Sequence, residues 1–123
     1  MPITYSVDAQ QNVVLVTWEG DVTADDYGAH LRTMLQDPDA LRAGRSLIDL
    51  RQANVLMSGI ELNAVMNAEA TPLLAGRLWK TAVLVNSSLN FGIARQVEML
   101  SESESSDSVF RDYAAAIAWL VKD

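Results

Sequence analysis

Cysteine is absent from this chain of 123 residues, and the other scarce residues also narrow what it can be. Without cysteine there are no disulfides, no thiolate metal sites and no cysteine nucleophile, and the absence is weakly in favour of a reducing compartment. His30 is the single histidine, so a zinc site is not expected. No apolar run approaches the roughly 20 residues of a membrane span. We therefore expect no metal, no cofactor and no membrane-spanning segment.

Strong positive charge is missing as well. Residues 1–8 have neither a basic start nor a long apolar stretch, so we expect no signal peptide and a cytoplasmic location. The nine Lys and Arg residues are scattered singly and the net charge is −7, so nucleic acid is not an expected partner. This acidity is typical of a soluble protein surface.

What the chain does contain is a series of short apolar strands. Apolar and polar residues alternate over Ile3–Asp8, which predicts a half-buried strand. Val13–Trp18 is almost continuously apolar, as in a strand covered on both faces, and the short connection between the two predicts an antiparallel hairpin. Three further strands are predicted at Arg45–Leu50, Thr81–Val85 and Ser108–Phe110.

Helices are expected between and after these strands, and their starts carry capping signals. Thr23 can cap a first helix, which ends at Asp37-Pro38. Ser58 and Glu61 have the spacing of a capping box and predict a second helix that runs to about Ala70. Thr71-Pro72 predicts a further helical turn that is closed by Gly76.

A third helix is predicted after the turn at Asn86–Ser88, and Asp112 can cap a final one. The apolar positions predicted to face the core in the first, third and last helices are, in order, Tyr27, Leu31, Met34 and Leu35; Leu89, Ile93, Val97 and Leu100; and Tyr113, Ile117 and Leu120.

The order β-β-α-β-α-β-α-β-α predicts an α/β fold. Its sheet has five strands, mostly parallel, with an antiparallel N-terminal edge strand and about four helices. The polar stretch at residues 101–107 is interpreted as a loop, so residues 1–123 are expected to form a single domain.

Several ordered segments of the chain resemble a known family. The stretches that carry the resemblance are Gly20-Asp21-Val22-Thr23, Leu47–Arg51, Lys80–Val85 followed by Phe91–Arg95, and Val109–Tyr113 followed by Ala116–Leu120. Together they resemble the STAS domains, the group with the SpoIIAA-like fold that includes bacterial anti-sigma-factor antagonists. The match is closer to an uncharacterised bacterial branch of that superfamily, which is also similar to CRAL-TRIO lipid-binding domains. This resemblance implies the fold without fixing a function.

A candidate binding surface follows from the predicted topology, because ligands of open α/β sheets bind beyond the carboxyl ends of the parallel strands. Residues 52–57 are predicted to form a loop there, and its apolar part, Val55–Met57, could act as a lid or a docking patch. The residues expected at this edge are Asp21, Asp49, Arg51, Val55, Leu56, Met57, Gly59, Asn86, Ser87 and Ser88.

Ser58 is the sharpest candidate at this edge, and two interpretations remain open. In anti-sigma-factor antagonists a regulated phosphoserine lies between the third strand and the second helix, so the resemblance implies that Ser58 is a phospho-acceptor. The chain departs from that motif, because Met57 replaces the Asp and Glu61 would repel a phosphate. The alternative is that Ser58 is a helix cap with Glu61 as its partner.

A catalytic constellation is not evident. Asp21 and Asp49 could form a carboxylate pair for acid–base chemistry or magnesium, but Asp21 reads as a turn residue and Asp49 can pair with Arg51 or Arg45. There is no nucleophile elbow and no glycine-rich phosphate loop.

We therefore expect a non-enzymatic, STAS-like regulatory or protein-interaction module that acts through residues 51–61. The alternative is a carrier or sensor of a small apolar or lipid-like ligand. Trp119 lies off the apolar stripe of the last helix and could belong to a self-association surface, so a homodimer is possible.

Overall fold

The computed structural model describes residues 2–70, 72, 79–100 and 106–122 and, for residues 97–100 and 106–107, the backbone alone. In chain order the elements are β1 (Ile3–Asp8), β2 (Val13–Val22), α1 (Ala24–Met34), α2 (Pro38–Ala43), β3 (Arg45–Val55), α3 (Gly59–Glu69), β4 (Lys80–Leu84), α4 (Ser88–Leu100), β5 (Ser106–Phe110) and α5 (Tyr113–Val121). The predicted α/β order is confirmed. The helical turn predicted at residues 71–76 lies outside the described residues, apart from Pro72.

The five strands form one sheet in the order β1-β2-β3-β4-β5. β1 pairs with β2 antiparallel, while the pairs β2–β3, β3–β4 and β4–β5 are parallel. The antiparallel edge strand is therefore where the sequence predicts it. Each parallel pair is connected through at least one helix, as a parallel crossover requires.

The helices are divided unequally between the two faces of the sheet. α1, α2, α3 and α4 pack on one face, which we call the four-helix face, around a large core that includes Val14, Val16, Trp18 and Leu50. α5 packs on the other, the α5 face, over β3, β4 and β5. Its core is small: Val13, Leu47 and Ala82 from the sheet, with Ala116 and Leu120 from α5.

Two basic side chains fix the end of α5 to the sheet. Arg45 Nη1 donates a hydrogen bond to the Leu120 carbonyl at 2.8 Å. Lys80 Nζ donates to the carbonyls of Trp119 and Lys122 and lies 4.3 Å from the centre of the Trp119 ring. These cations satisfy carbonyl groups that a helix leaves unpaired at its C-terminus.

The short helix α2 was not predicted from the sequence. Asp37 caps it by accepting a hydrogen bond from the Asp39 N–H at 3.0 Å, and Pro38 occupies the first helical position. Gly44 ends it in the left-handed conformation, with φ 70°. The sequence pattern marks Asp37-Pro38 only as the stop of the preceding helix, whereas the same dipeptide also begins the next one.

Two predicted helix faces are wrong in part. In α4, Asn90 and Ala94 are buried while Leu89 is 65% exposed, so Leu89 does not face the core as predicted. Ile93 of the same stripe does pack against the core. In α5, Leu120 is buried as predicted but Tyr113 is 43% exposed. The buried residues of α4 named here are polar or small, and in α5 the small Ala116 is buried beside Leu120, so apolar content alone does not identify the covered side.

Candidate functional site

Strands β2 and β3 extend past the rest of the sheet as a two-stranded ribbon. β3 pairs with β4 only as far as Asp49, opposite Leu84, but it pairs with β2 as far as Val55, opposite Val22. The loop predicted at residues 52–57 is therefore wrong over Gln52–Val55, which is strand. β3 gains one residue between the pairs Thr17–Asp49 and Glu19–Gln52, a bulge that interrupts the alternation expected of a strand.

This ribbon divides the predicted edge into two levels. Asn86, Ser87 and Ser88 follow β4 and lie near the level of Leu50. The residues that follow the ribbon lie roughly 15–20 Å farther along the strands, at about 3.3 Å per residue. The parallel strands do send all three chain tips toward the same end of the sheet, but the structure does not bring all the predicted residues into one cluster.

Asn90 closes the gap that the ribbon leaves. Its side-chain Nδ2 donates to the carbonyls of Leu50 and Ala53, both at 3.2 Å, along the edge of β3 that β4 does not reach. Ser87 caps α4, since its Oγ accepts a hydrogen bond from the Asn90 N–H at 3.1 Å. Sequence reasoning missed Asn90; the available signal was a polar residue inside an otherwise apolar helix segment.

At the tip of the ribbon, Ser58 is the cap of α3, which is the second of the two interpretations given above. Its Oγ accepts a hydrogen bond from the Glu61 N–H at 3.1 Å, and the Glu61 carboxylate accepts one from the Ser58 N–H at 3.2 Å. Met57 and Leu62 flank this capping box at the positions of a hydrophobic staple, and both are buried in the large core. The start of α3 is therefore held firmly, and phosphorylation of Ser58 stays a prediction.

Gly59 has a packing role at the same helix start. A Cβ atom on this residue would lie 2.7 Å from the Cβ of Gln96 on α4, closer than real side-chain atoms approach. The absence of a side chain at Gly59 thus lets α3 and α4 pack together.

Two large apolar side chains remain exposed around the cap. Leu56 is 51% exposed and Ile60 is 63% exposed, on either side of the exposed Ser58. The backbone of Leu56 is fixed, because its N–H donates to the Val22 carbonyl at 2.8 Å. We call Leu56, Ser58, Ile60 and Glu61 the ribbon-tip surface. Val55 and Met57, the other members of the predicted apolar loop, are buried.

The two chain segments that form the ribbon tip are acidic. Residues 19–31 and 52–64, which form the end of the ribbon and the first turns of α1 and α3, contain no Lys or Arg. Asp21 accepts a hydrogen bond from Asn54 Nδ2 at 2.9 Å across the ribbon. The acidic residues of these two segments are Glu19, Asp21, Asp25, Asp26 and Glu61.

Asp49 and Arg51 form an ion pair with 3.0 Å between Arg51 Nη2 and Asp49 Oδ2. Burial tends to raise the carboxyl pKa of Asp49, but the hydrogen bonds and charge of Arg51 outweigh burial, and the pKa is lowered. Hydrogen bonding to Asp49 in turn raises the pKa of Arg51. Because Asp49 lies opposite Thr17, it is about 13 Å along β2 from Asp21. The two carboxylates are therefore not a pair.

His30 lies away from the ribbon tip, buried on the four-helix face. Its ring packs edge-on against Tyr5, with 5.7 Å between ring centres. Burial lowers the pKa of His30 to about 4, so the side chain is neutral near pH 7. Among the described residues, no group of three His, Asp or Glu side chains is placed to hold a metal ion.

A shallow groove of about 290 Å³ runs between α1 and α3. Small residues such as Gly28 and Ala64 line it, and the ion pair between Arg32 and Glu69, at 2.7 Å, borders it. Its volume is at the lower limit of small-molecule sites, which start near 300 Å³.

The chain is similar in structure to a protein from Shewanella loihica PV-4, described as an uncharacterised member of the DUF3478 family with a SpoIIAA-like fold. The TM-score is 0.64 and the identity 17%, over 96% of this chain and 93% of the other. No family model and no curated protein matches the sequence. The similarity shows that the chain has the SpoIIAA-like fold. Across the described part of the chain, no helix has the length and apolar character needed to cross a membrane.

Proposed function

We propose that this SpoIIAA-like domain is a non-enzymatic protein-interaction module that binds its partner through the ribbon-tip surface, within residues 51–61. The observation that carries the proposal is the exposure of Leu56 and Ile60 on either side of a firmly capped helix start. Exposed apolar side chains on a rigid backbone suit binding, because little conformational entropy is lost when a partner covers them.

The charge around this surface defines the chemistry of the partner. Glu61 follows Ile60 on α3, and Asp21 accepts a hydrogen bond from Asn54 across the ribbon, two residues before Leu56. A partner segment that places apolar residues on Leu56 and Ile60 and Lys or Arg residues around them would complement both features. We therefore propose that the partner presents a basic segment with apolar anchors.

Phosphorylation of Ser58 would give this surface a means of regulation. Ser58 is exposed and lies between Leu56 and Ile60 in the chain, so a phosphate there would add roughly 1.5–2 negative charges to the surface. The carboxylate of Glu61, which is bonded to the Ser58 backbone, would oppose it. We propose that modification of Ser58, where it occurs, changes partner affinity and weakens the capping box at the same time.

The alternative function, a carrier of a small apolar or lipid-like ligand, loses the feature that suggested it. Val55 is the last residue of β3, and Met57 is part of the core. Neither side chain is free to act as a lid, and Leu56 points to solvent instead. We therefore favour the interaction module.

A photo-crosslinking amino acid at Ile60 tests the proposal in cell extract. We expect the probe at position 60 to form a crosslink to one defined protein, at a basic segment of that protein. The affinity of that protein for the purified domain is then measured by calorimetry. Replacement of both exposed side chains, Leu56→Gln and Ile60→Gln, should weaken this binding about tenfold or more, since buried apolar anchors dominate interface energies.

Val121→Gln is the matched control, because Val121 is also a partly exposed apolar side chain but lies on α5, on the other face of the sheet. It should leave partner affinity unchanged. Equal binding by the Leu56→Gln, Ile60→Gln variant and the parent protein would overturn the proposal. A crosslinked segment that is acidic would overturn the proposal that the partner presents a basic segment.

A further inference from the structure

Strand β1 is an edge of the sheet, and no strand of the described part of the chain lies on its outer side. On its inner side it pairs with β2, and the Glu19 N–H donates a hydrogen bond to the Pro2 carbonyl at 2.8 Å. Because the residues of an antiparallel strand alternate between the two sides, every second residue of β1 directs its backbone N–H and C=O groups outward. The outward-directed residues are Ile3, Tyr5 and Val7.

This outer edge has none of the features that usually protect one. A free row of backbone groups can pair with another strand, so edges normally carry a charged side chain, a proline or a bulge. Residues 3–7 contain no charge and no proline, and their pairing with β2 is continuous. The backbone of Pro2 faces β2 instead. Asp8 is the only charged residue of β1, and its carboxylate accepts hydrogen bonds from the N–H groups of Gln10 and Gln11 in the following turn.

The side chains of β1 also leave the edge accessible. Thr4 and Ser6 are exposed on the α5 face. Tyr5 and Val7 pack against the large core on the four-helix face, but both are only partly buried. A strand added beside β1 would therefore cover uncharged polar side chains on one face and mainly apolar side chains on the other.

We propose that β1 accepts an extended segment of a partner protein as a sixth, antiparallel strand of the sheet. The edge itself specifies this occupant, because an extended polypeptide repeats a donor and an acceptor at the spacing of alternate residues, about 6.8 Å. Strand addition of this kind takes its affinity from main-chain hydrogen bonds and its specificity from alternate side chains. The antiparallel direction is favoured because such pairs are the more stable per residue.

Asp37 gives the added segment a preferred charge. Its carboxylate accepts hydrogen bonds from the Tyr5 hydroxyl at 2.8 Å and from the Asp39 N–H at 3.0 Å. These bonds, that of Tyr5 first, lower the pKa of Asp37, so the carboxylate is ionised at neutral pH. The residue opposite Tyr5 on an added strand points to the same face of the sheet. We expect Lys or Arg there, with apolar residues opposite Ile3 and Val7.

A second copy of this chain fits the edge less well. Antiparallel pairing of two β1 strands about a two-fold axis at Tyr5 would bring the two Asp37 carboxylates toward each other, since each is bonded to its own Tyr5. It would also join two chains that each carry a net charge of −7. The ribbon-tip surface is not part of this edge, so the proposal is independent of the proposed function.

Residue-resolved amide exchange, measured by NMR, tests the edge. In the protein alone, the N–H groups of Ile3, Tyr5 and Val7 should exchange faster than those of Thr4 and Ser6, which face β2. The probe is a synthetic peptide in which Val and Thr alternate around a central Lys. Saturating peptide should slow exchange at the three outward N–H groups and leave the other two unchanged. Slower exchange at consecutive residues, or at none, would overturn the proposal.

Two controls separate main-chain pairing from other modes of binding. The same peptide with N-methyl groups on the amides that face β1 keeps its side chains but should not bind. Val7→Pro removes an outward N–H and should weaken peptide binding about tenfold, because proline is tolerated on the free side of an edge strand. Val7→Ala keeps the N–H and should have a clearly smaller effect. If Val7→Pro fails to fold, the N-methylated peptide still decides, since equal binding of both peptides overturns strand addition.

The charge preference and the occupant are tested separately. A peptide with Glu in place of the central Lys should bind the parent protein several-fold more weakly. Asp37→Asn, which keeps a capping oxygen for α2, should remove this difference, and equal affinities in the parent would overturn the preference. The Leu56→Gln, Ile60→Gln variant should bind the peptide as the parent does, so the two proposals can fail independently. Slower exchange that appears without peptide and grows with protein concentration would identify a second copy as the occupant and overturn the assignment to a partner.

Discussion

The two faces of the sheet are held by different kinds of contact. The four-helix face has a wide apolar core in which Trp18 and Tyr27 pack with 5.2 Å between ring centres. The α5 face has few fully buried side chains, and cations at Arg45 and Lys80 hold the end of its helix. The first face is covered by four helices, whereas the second leaves part of β1 and β2 and the outer side of α5 uncovered. A substitution in the wide core should therefore cost more stability than the loss of one contact on the α5 face.

Of the substitutions considered, Trp18→Ala should have the largest effect on stability. Trp18 is fully buried at the centre of the four-helix face, so its loss leaves a cavity that should cost about 3–5 kcal/mol of unfolding free energy. Urea denaturation measures the change. Trp18→Phe is the matched control: it keeps an aromatic ring and removes a buried indole N–H that has no hydrogen-bond partner. We expect a clearly smaller loss, and equal losses would contradict the cavity argument.

The order of elements and the caps at Thr23, Ser58 and Asp112 were predictable from sequence, because they depend on local patterns. The length of β3 was not. Its bulge near Arg51 breaks the alternation, and Gln52 then looks like the start of a loop.

Other features depended on contacts between distant residues. Asn90 is buried because β3 outruns β4 and leaves carbonyl groups without partners, which no local pattern reveals. The candidate edge was predicted as one cluster for the same reason: the sequence does not show that the ribbon extends past Leu84. The exposure of Leu56 between the buried Val55 and Met57 likewise follows from the ribbon.

His30→Leu tests whether a buried group of the four-helix face makes the stability of the protein depend on pH. The unfolded chain binds a proton at His30 near pH 6.5, whereas the folded chain does so only near pH 4. The unfolded state therefore binds more protons between these values, and stability falls as the pH is lowered through this window. The full shift corresponds to about 3 kcal/mol, of which about 2 kcal/mol is lost between pH 7 and pH 4.5. Unfolding of both proteins at pH 7 and pH 4.5 measures it, and the variant should lose less stability than the parent. An equal loss of stability in both proteins would show that burial of His30 does not contribute to the pH dependence.

Lys80→Met should act on the α5 face. The carbonyls of Trp119 and Lys122 would lose their charged donor, and hydrogen bonds of this kind contribute about 1.5–3 kcal/mol. Hydrogen exchange should become faster in α5 and stay unchanged in α1. Arg42→Met is the control, because its ion pair with Asp39 is exposed and should contribute almost nothing. Faster exchange throughout the protein would mean that α5 does not open separately.

The smallest expected effect concerns Ser58. Ser58→Ala removes the cap of α3 and should cost about 1 kcal/mol in urea denaturation, without a change in the m-value. Ser58→Asp keeps a capping oxygen, since Asp caps helices as well as Ser does, but places a second carboxylate beside Glu61. We expect Ser58→Asp to be more stable than Ser58→Ala. If it is less stable, repulsion from Glu61 exceeds the benefit of the cap, and a phosphate at Ser58, which carries more charge, would open the first turn of α3 and reshape the ribbon-tip surface.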